Sequence, residues 1–169
     1  MGLGFGDVLL DDGRMKCSAL VVLASLALAS VAGCGSPQRA VTFATAAKVE
    51  TGLDVVSRTL AAEGHGSPAV DRQAGIAHTE WKDTGFLYGQ VQGTTASIVR
   101  RFTVVLAPSA EGANVTVRID AKRCAQGGFS IEGSEVRGPC EEMSVIPERF
   151  QDEIDSLGAK LQNALASAR

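Results

Sequence analysis

The sequence predicts an α+β fold, in which an antiparallel sheet of three to four strands carries an N-terminal and a C-terminal helix packed on one face. Two segments, residues 44–63 and the residues after Pro147, repeat apolar side chains at helical spacing. Between them, residues 115–120 alternate apolar and polar side chains, as in a strand with one buried face. Helices at both ends and strands between them are typical of an α+β domain.

The composition sets the class of protein before any element is placed. The chain has 169 residues, 45% of them hydrophobic, and 16 basic against 19 acidic side chains give a net charge of −3. This fits one globular domain and argues against a nucleic-acid binder held by a basic field, an acidic disordered tail and a multi-span membrane protein. Of the 33 residues before Cys34, 20 are hydrophobic, so the apolar excess lies at the front.

Residues 1–33 are interpreted as an N-terminal extension followed by a signal peptide. The run ALVVLASLALASVA follows Met15 and Lys16, and it is shorter than the roughly 20 apolar residues of a spanning helix. Translation is expected to begin at Met1 or Met15. Three acids in residues 1–14 are unlike the basic start of a signal peptide and favour Met15.

The end of this segment, Ser30-Val31-Ala32-Gly33-Cys34, resembles the lipobox of bacterial lipoprotein precursors. That resemblance implies cleavage after Gly33 and a diacylglycerol on the Cys34 thiol, which anchors the chain because two or more acyl chains hold stably in a bilayer. Gly35 in place of Asp implies, by the same resemblance, an outer-membrane location facing the periplasm. The alternative is an ordinary cleaved signal with an incidental cysteine.

The mature chain is expected to have a short lipidated linker, residues 34–43, and one domain, residues 44–169. The first helix, residues 44–63, has a stripe of Val49, Leu53, Val56 and Leu60 and is ended by Gly64. A strand is predicted over residues 76–81. Glycines at 85, 89 and 93 then predict a flexible connection.

A hairpin is predicted next, from strands at residues 95–107 and 115–120. The last helix starts at Pro147 and carries a stripe at helical spacing, consisting of Phe150, Ile154, Leu157, Leu161 and Leu165. Its first turns are acidic, which suits the helix dipole.

Cys124 and Cys140 are expected to form a disulfide, because an exported chain meets an oxidising compartment and Cys17 leaves with the signal. The bridge would close a glycine-rich loop with few apolar residues of its own. A redox pair or a metal site is the alternative, but the spacing is not CxxC and no histidine is near.

The order of elements, with Trp81 ending a strand and Arg100-Arg101 in the next, resembles BamC-type small envelope lipoproteins of the β-barrel assembly machine. The resemblance implies a scaffold or adaptor role and carries over no functional residue. His65 and His78 lack partners at ligand spacing, so neither a metal nor another cofactor is expected.

No catalytic residue is predicted, since GxSxG and SxxK are both absent from the sequence. Phe86 and Tyr88, beside a glycine-rich segment, are the candidates for contact with an envelope protein partner. Two functions are therefore expected: a non-enzymatic, lipid-anchored structural, adaptor or assembly protein, or a lipoprotein that binds a hydrophobic or glycan ligand between sheet and helices. No nucleic-acid partner is expected.

Overall fold

A computed structural model of the chain describes residues 39–168. Two helices, α1 and α2, and nine strands follow one another along these residues. Their bounds in chain order are β1 Val41–Thr45, α1 Val49–Ala62, β2 Ala69–Asp71, β3 Ile76–His78, β4 Lys82–Val91, β5 Thr94–Ser109, β6 Gly112–Ala125, β7 Ser130–Glu132, β8 Glu135–Arg137, β9 Cys140–Glu142 and α2 Glu148–Ser167. The fold is a mixed arrangement of a large antiparallel sheet and two helices.

The long hairpin of β5 and β6 is the centre of the sheet. The two strands stay in register from Ala96 opposite Ala125 to Ser109 opposite Gly112, so only two residues form the turn. β3 and β4 pair with the outer edge of β5, β1 and β9 pair with the outer edge of β6, and β2 extends the sheet from β3. The predicted hairpin is present, and both of its strands are longer than predicted.

The main sheet contains seven strands in the described residues, and β7 and β8 form a separate two-stranded sheet. The prediction of three to four strands is wrong. Three of the additional strands, β1, β2 and β9, have three to five residues, too few for alternation to be recognised. The strand predicted over residues 76–81 is present at Ile76–His78 as β3.

The glycine-rich segment predicted as a flexible connection forms β4. Gly85 and Gly89 have φ angles of +66° and +69°, which glycine adopts without steric cost. The register against β5 shifts between Asp83 and Leu87 and again between Leu87 and Gln90. The glycines therefore stand in an irregularly paired strand where the sequence indicated an interruption.

The first helix begins at Val49, five residues later than predicted. The residues before it form β1, in which Val41 lies opposite Val117 and Thr45 opposite Ala113. β1 therefore begins inside the segment predicted as linker. Its β-branched residues suit a strand, and pairing with the exposed edge of β6 decides the outcome.

The main core is one hydrophobic cluster that contains residues of both helices and of the central hairpin. All five residues of the predicted α2 stripe are buried, as are Leu53, Val56 and Leu60 of α1. They form one hydrophobic cluster with alternate residues of β5 and β6, including Phe102 and Leu106. Each fully buried residue of this size contributes about 1.5–3 kcal/mol.

A smaller cluster is separate from the main core. Trp81, Val99 and Cys124 are buried there. Phe129 of the bridged loop and Val136 of β8 cover them. The β7–β8 hairpin is thus held by a few apolar contacts beside the bridge.

Candidate functional site

The predicted disulfide between Cys124 and Cys140 is present. The two cysteines are register partners on β6 and β9, with Cα atoms 4.1 Å apart. Directly opposed cysteines on neighbouring strands can be bridged because their Cα atoms are closer than the roughly 7 Å beyond which a disulfide cannot form without backbone movement. The predicted lipidation residue, Cys34, lies outside the described residues.

Arg101 and Lys122 lie over the ring of Trp81 on the disulfide side of the sheet. The guanidinium carbon and the ammonium nitrogen are 4.8 Å and 5.2 Å from the ring centroid. Asp120 accepts hydrogen bonds from Arg101 Nε at 3.0 Å and from Thr103 Oγ1 at 2.8 Å. Arg101 and Lys122 thus interact with groups of the protein itself, and Trp81 is buried.

Phe86 and Tyr88, the predicted contact residues, lie on β4 and differ in exposure. Phe86 is half-buried, and its ring centroid lies 6.3 Å from that of Phe150 in an edge-to-face arrangement. Tyr88 is 37% exposed and Leu87 between them is 52% exposed. Phe86 therefore joins the core to a surface formed by Leu87 and Tyr88.

Arg149, in the first turn of α2, covers the rings of Phe86 and Phe150. Its guanidinium carbon lies 4.8 Å from the ring centroid of Phe86 and 5.0 Å from that of Phe150. A guanidinium over an aromatic face is attracted by the ring quadrupole, by about 0.5–1 kcal/mol at an exposed site. The name Tyr88 patch is used below for Phe86, Leu87, Tyr88 and Arg149.

A second feature, the His65 cleft, forms where α1 ends. The N–H of Gly64 donates to Ala61 O and the N–H of His65 donates to Leu60 O, which is the Schellman pattern of a helix C-terminus. Gly64 has a φ of +80°, as this cap requires. The turn places the His65 ring against Phe102, with centroids 4.7 Å apart.

The cleft has a volume of about 420 Å³ and lies between the end of α1, β5 and α2. Phe102 and Leu157 are among the residues that line it. A neighbouring cavity of about 290 Å³, on the side of Trp81, shares His65 and Arg100 with it.

Arg100 is the most buried charged group in this cleft. Its side chain is 14% exposed, and Nη2 lies 2.5 Å from Oε2 of Glu153, which is 32% exposed. Its Nε atom is buried and has no hydrogen-bond acceptor among the described residues. Burial lowers the pKa of Arg100 although Glu153 opposes the shift.

The charges of the cleft are mostly paired with each other. Lys160 of α2 forms an ion pair with Glu63 at the end of α1, in addition to the pair of Arg100 and Glu153. Burial lowers the pKa of His65, and the positive charges of Arg100 and Lys82 lower it further. His65 is thus neutral near pH 7 and can donate one hydrogen bond and accept another.

Within residues 39–168, no group of three or more His, Cys, Asp or Glu side chains is arranged so that it could hold a metal ion. His78 lies on β3, separate from the His65 cleft, and burial lowers its pKa. Within the same residues, no helix is both long and apolar enough to cross a membrane.

Sequence reasoning missed the cleft, although two signals for it exist. Gly64 predicts a helix cap, and the residue after such a glycine often packs back on the helix, which places His65. Glu153 stands three residues after Phe150 and four before Leu157, beside the buried stripe of α2. Its pairing with Arg100 depends on how the helix crosses the sheet, which no local pattern specifies.

Comparison with known proteins gives no family: the chain matches no protein-family model and no curated protein sequence.

Proposed function

We propose that this chain is a lipid-anchored protein of the cell envelope, attached through Cys34 and facing the periplasm from the outer membrane. Its role is structural: an adaptor or an assembly partner without enzymatic activity. The observation that carries the proposal is the disulfide between Cys124 and Cys140. Such bridges persist in oxidising compartments and are rare in the cytosol, so the bridge supports the export signal that the sequence predicts.

The arrangement of the domain supports a structural role. The buried stripes of α1 and α2 share one cluster with alternate residues of β5 and β6, which favours both helices lying on one face of the sheet. Large side chains such as Phe102 and Phe150 are fully buried there. In the His65 cleft, the charges of Arg100 and Lys160 are engaged in ion pairs with side chains of the protein itself.

Metabolic labelling with a clickable fatty acid tests the anchor. Wild type and Cys17→Ala are expected to incorporate the label, because Cys17 leaves with the signal, whereas Cys34→Ala is expected to incorporate none. Label that persists in Cys34→Ala, or its absence from wild type, contradicts the proposal. Crosslinking in intact cells followed by membrane purification then identifies the partner that an adaptor requires.

The His65 cleft favours a second candidate function, the binding of a small glycan between sheet and helices. The cleft volume of about 420 Å³ is within the range of small-molecule sites, and its lining combines Phe102 and Leu157 with polar and charged side chains. Titration with soluble peptidoglycan fragments, followed by amide chemical shifts, tests it. Saturable shifts at Gly64 and Gly66 that disappear in His65→Ala support binding, and unchanged shifts at millimolar ligand contradict it.

A further inference from the structure

The Tyr88 patch exposes two large hydrophobic side chains on β4, Leu87 and Tyr88. Leu87, Tyr88 and Val145 are the exposed large hydrophobic residues of the part of the chain that the structure describes. Leu87 and Tyr88 are consecutive, so in a regular strand they would point to opposite faces. Leu87 is the register partner of Ser97, whereas Tyr88 stacks on Phe86, which packs against the main core. The two side chains therefore lie on opposite faces of β4, and both are exposed.

The chain enters the domain beside the same end of α2. Arg39 N–H donates to Gln151 Oε1 at 3.1 Å, and Gln151 Nε2 donates to Arg39 O at 2.9 Å. Gln151 follows Arg149 and Phe150, the two α2 residues that contact Phe86. The first described residue is therefore held at the helix turn that supports the Tyr88 patch.

The direction of β1 supports the same placement. β1 runs from Val41, opposite Val117, to Thr45, opposite Ala113, and so it runs toward the turn between β5 and β6. Arg39, which precedes β1, lies on the side away from that turn. Leu87 pairs with Ser97, near the other end of β5 from the turn.

The tether is short compared with the sheet. Five peptide steps separate Cys34 from Arg39 in the sequence, and they span at most about 18 Å when fully extended. Val41 pairs with Val117, five residues from the start of β6, so Arg39 lies about seven residues, or roughly 23 Å of strand, from the β5–β6 turn. A membrane-bound Cys34 would hold Arg39 within about 18 Å of the bilayer surface, which is less than the distance from Arg39 to that turn.

We propose that the Tyr88 patch rests on the phospholipid surface in which the protein's own anchor is embedded, an inference that depends on the lipid anchor proposed above. Leu87 enters the headgroup region, Tyr88 lies at the interface, as tyrosines of membrane proteins commonly do, and Arg149 reaches the phosphates while its stem covers Phe86.

Because Cys34 is tethered to the membrane, weak contacts between the Tyr88 patch and the lipid are sufficient to orient the domain. An acylated Cys34 confines the patch near the membrane, so that patch binding is an intramolecular step at a high effective concentration. Glu148 and Asp152 flank Arg149 in the sequence, so apolar contact and the tether contribute more than net positive charge. The patch therefore sets the orientation of the domain, and the acyl chains supply the affinity.

Fluorescence quenching by brominated lipid tests the orientation. The lipidated mature protein is extracted from membranes, its acylation is verified by mass spectrometry, and it is reconstituted in phosphatidylcholine–phosphatidylglycerol vesicles with bromine at carbons 6 and 7 of the acyl chain. Leu87→Trp places a reporter in the patch. Glu111→Trp, in the exposed turn between β5 and β6, is the matched control, and the buried Trp81 contributes the same background to both.

We expect brominated lipid to lower the reporter emission of Leu87→Trp at least twofold and to leave that of Glu111→Trp unchanged. Acylated protein in which Leu87→Trp is not quenched, or in which both reporters are quenched equally, overturns the orientation alone. The absence of the acyl mass on Cys34 overturns the anchor and the orientation with it. A photocrosslinker at residue 87 that captures a protein and no lipid also overturns the orientation, in favour of a protein partner.

Discussion

Reduction of the Cys124–Cys140 bridge is expected to lower the free energy of unfolding by about 3 kcal/mol. The two cysteines are 16 residues apart. In the chain-entropy model, closing a loop of that length restricts the unfolded chain by about 3 kcal/mol at 25 °C. The ratio of folded to unfolded protein then falls about 150-fold. The cause is the greater freedom of the reduced unfolded chain.

Urea denaturation followed by the emission of Trp81 measures this effect, because Trp81 is the single tryptophan and lies in the cluster of Cys124. Oxidised and dithiothreitol-reduced protein have the same side-chain volumes, so their difference isolates the crosslink. The double variant Cys124→Ala/Cys140→Ala is the control and should not respond to reductant. A difference below about 0.5 kcal/mol between oxidised and reduced protein would refute the reasoning.

Three further outcomes are expected from urea denaturation of other variants. Glu153→Gln leaves the guanidinium of Arg100 buried without its counter-charge and should lower the free energy of unfolding by roughly 1–3 kcal/mol. The loss is smaller than for a fully buried pair because Glu153 is partly exposed. Adding Arg100→Met should recover most of this loss, and no recovery would contradict the assignment of the ion pair. Gly52→Ala improves helix propensity by about 1 kcal/mol, but the added Cβ meets the buried Leu106 side chain, so we expect net destabilisation. Adding Leu106→Val should relieve it. A Gly52→Ala variant more stable than wild type would show that the Leu106 side chain moves to accommodate the methyl group. The pKa of His65 is lowered in the folded protein, so the unfolded chain binds more protons just below pH 6.5. The free energy of unfolding should therefore fall as the pH drops from 6.5 toward the lowered pKa. This pH dependence should weaken in His65→Gln, and an identical slope in that variant would exclude His65 as its source.

The elements that could be predicted from the sequence are those with a strong local pattern. The α2 stripe from Phe150 to Leu165 repeats at helical spacing, and all of its residues are buried. The alternation of Val115, Val117 and Ile119 placed β6 correctly. In both cases one face of an element is apolar whatever it packs against, so the sequence is sufficient.

The elements that could not be predicted are short or irregular. β1 has five residues, and β2 and β9 have three each. β1 and β9 pair with β6, and β2 pairs with β3, so each depends on an edge that the rest of the sheet provides. β4 contains Gly85 and Gly89, which signal interruption in isolation but stand in an irregularly paired strand beside β5. The strand count was therefore underpredicted.

The candidate sites show the same division. The sequence identified Phe86 and Tyr88 as a sparse aromatic pair, but the exposure of Leu87 and the cover of Arg149 depend on the positions of β4 and α2. For His65, the sequence predicted only that no partner stands at metal-ligand spacing. The contact of His65 with Phe102 and the cleft around it appear only when α1, β5 and α2 are assembled.

The two helical stripes, the central hairpin and the cysteine pair follow from the sequence alone, because each depends on local periodicity or on how few partners exist. The short strands that complete the sheet, the pairing of Arg100 with Glu153 and the hydrogen bonds between Arg39 and Gln151 depend on the assembled fold. Those features join residues distant in the chain, such as Arg39 and Gln151, and their contacts form only after the helices have packed on the sheet.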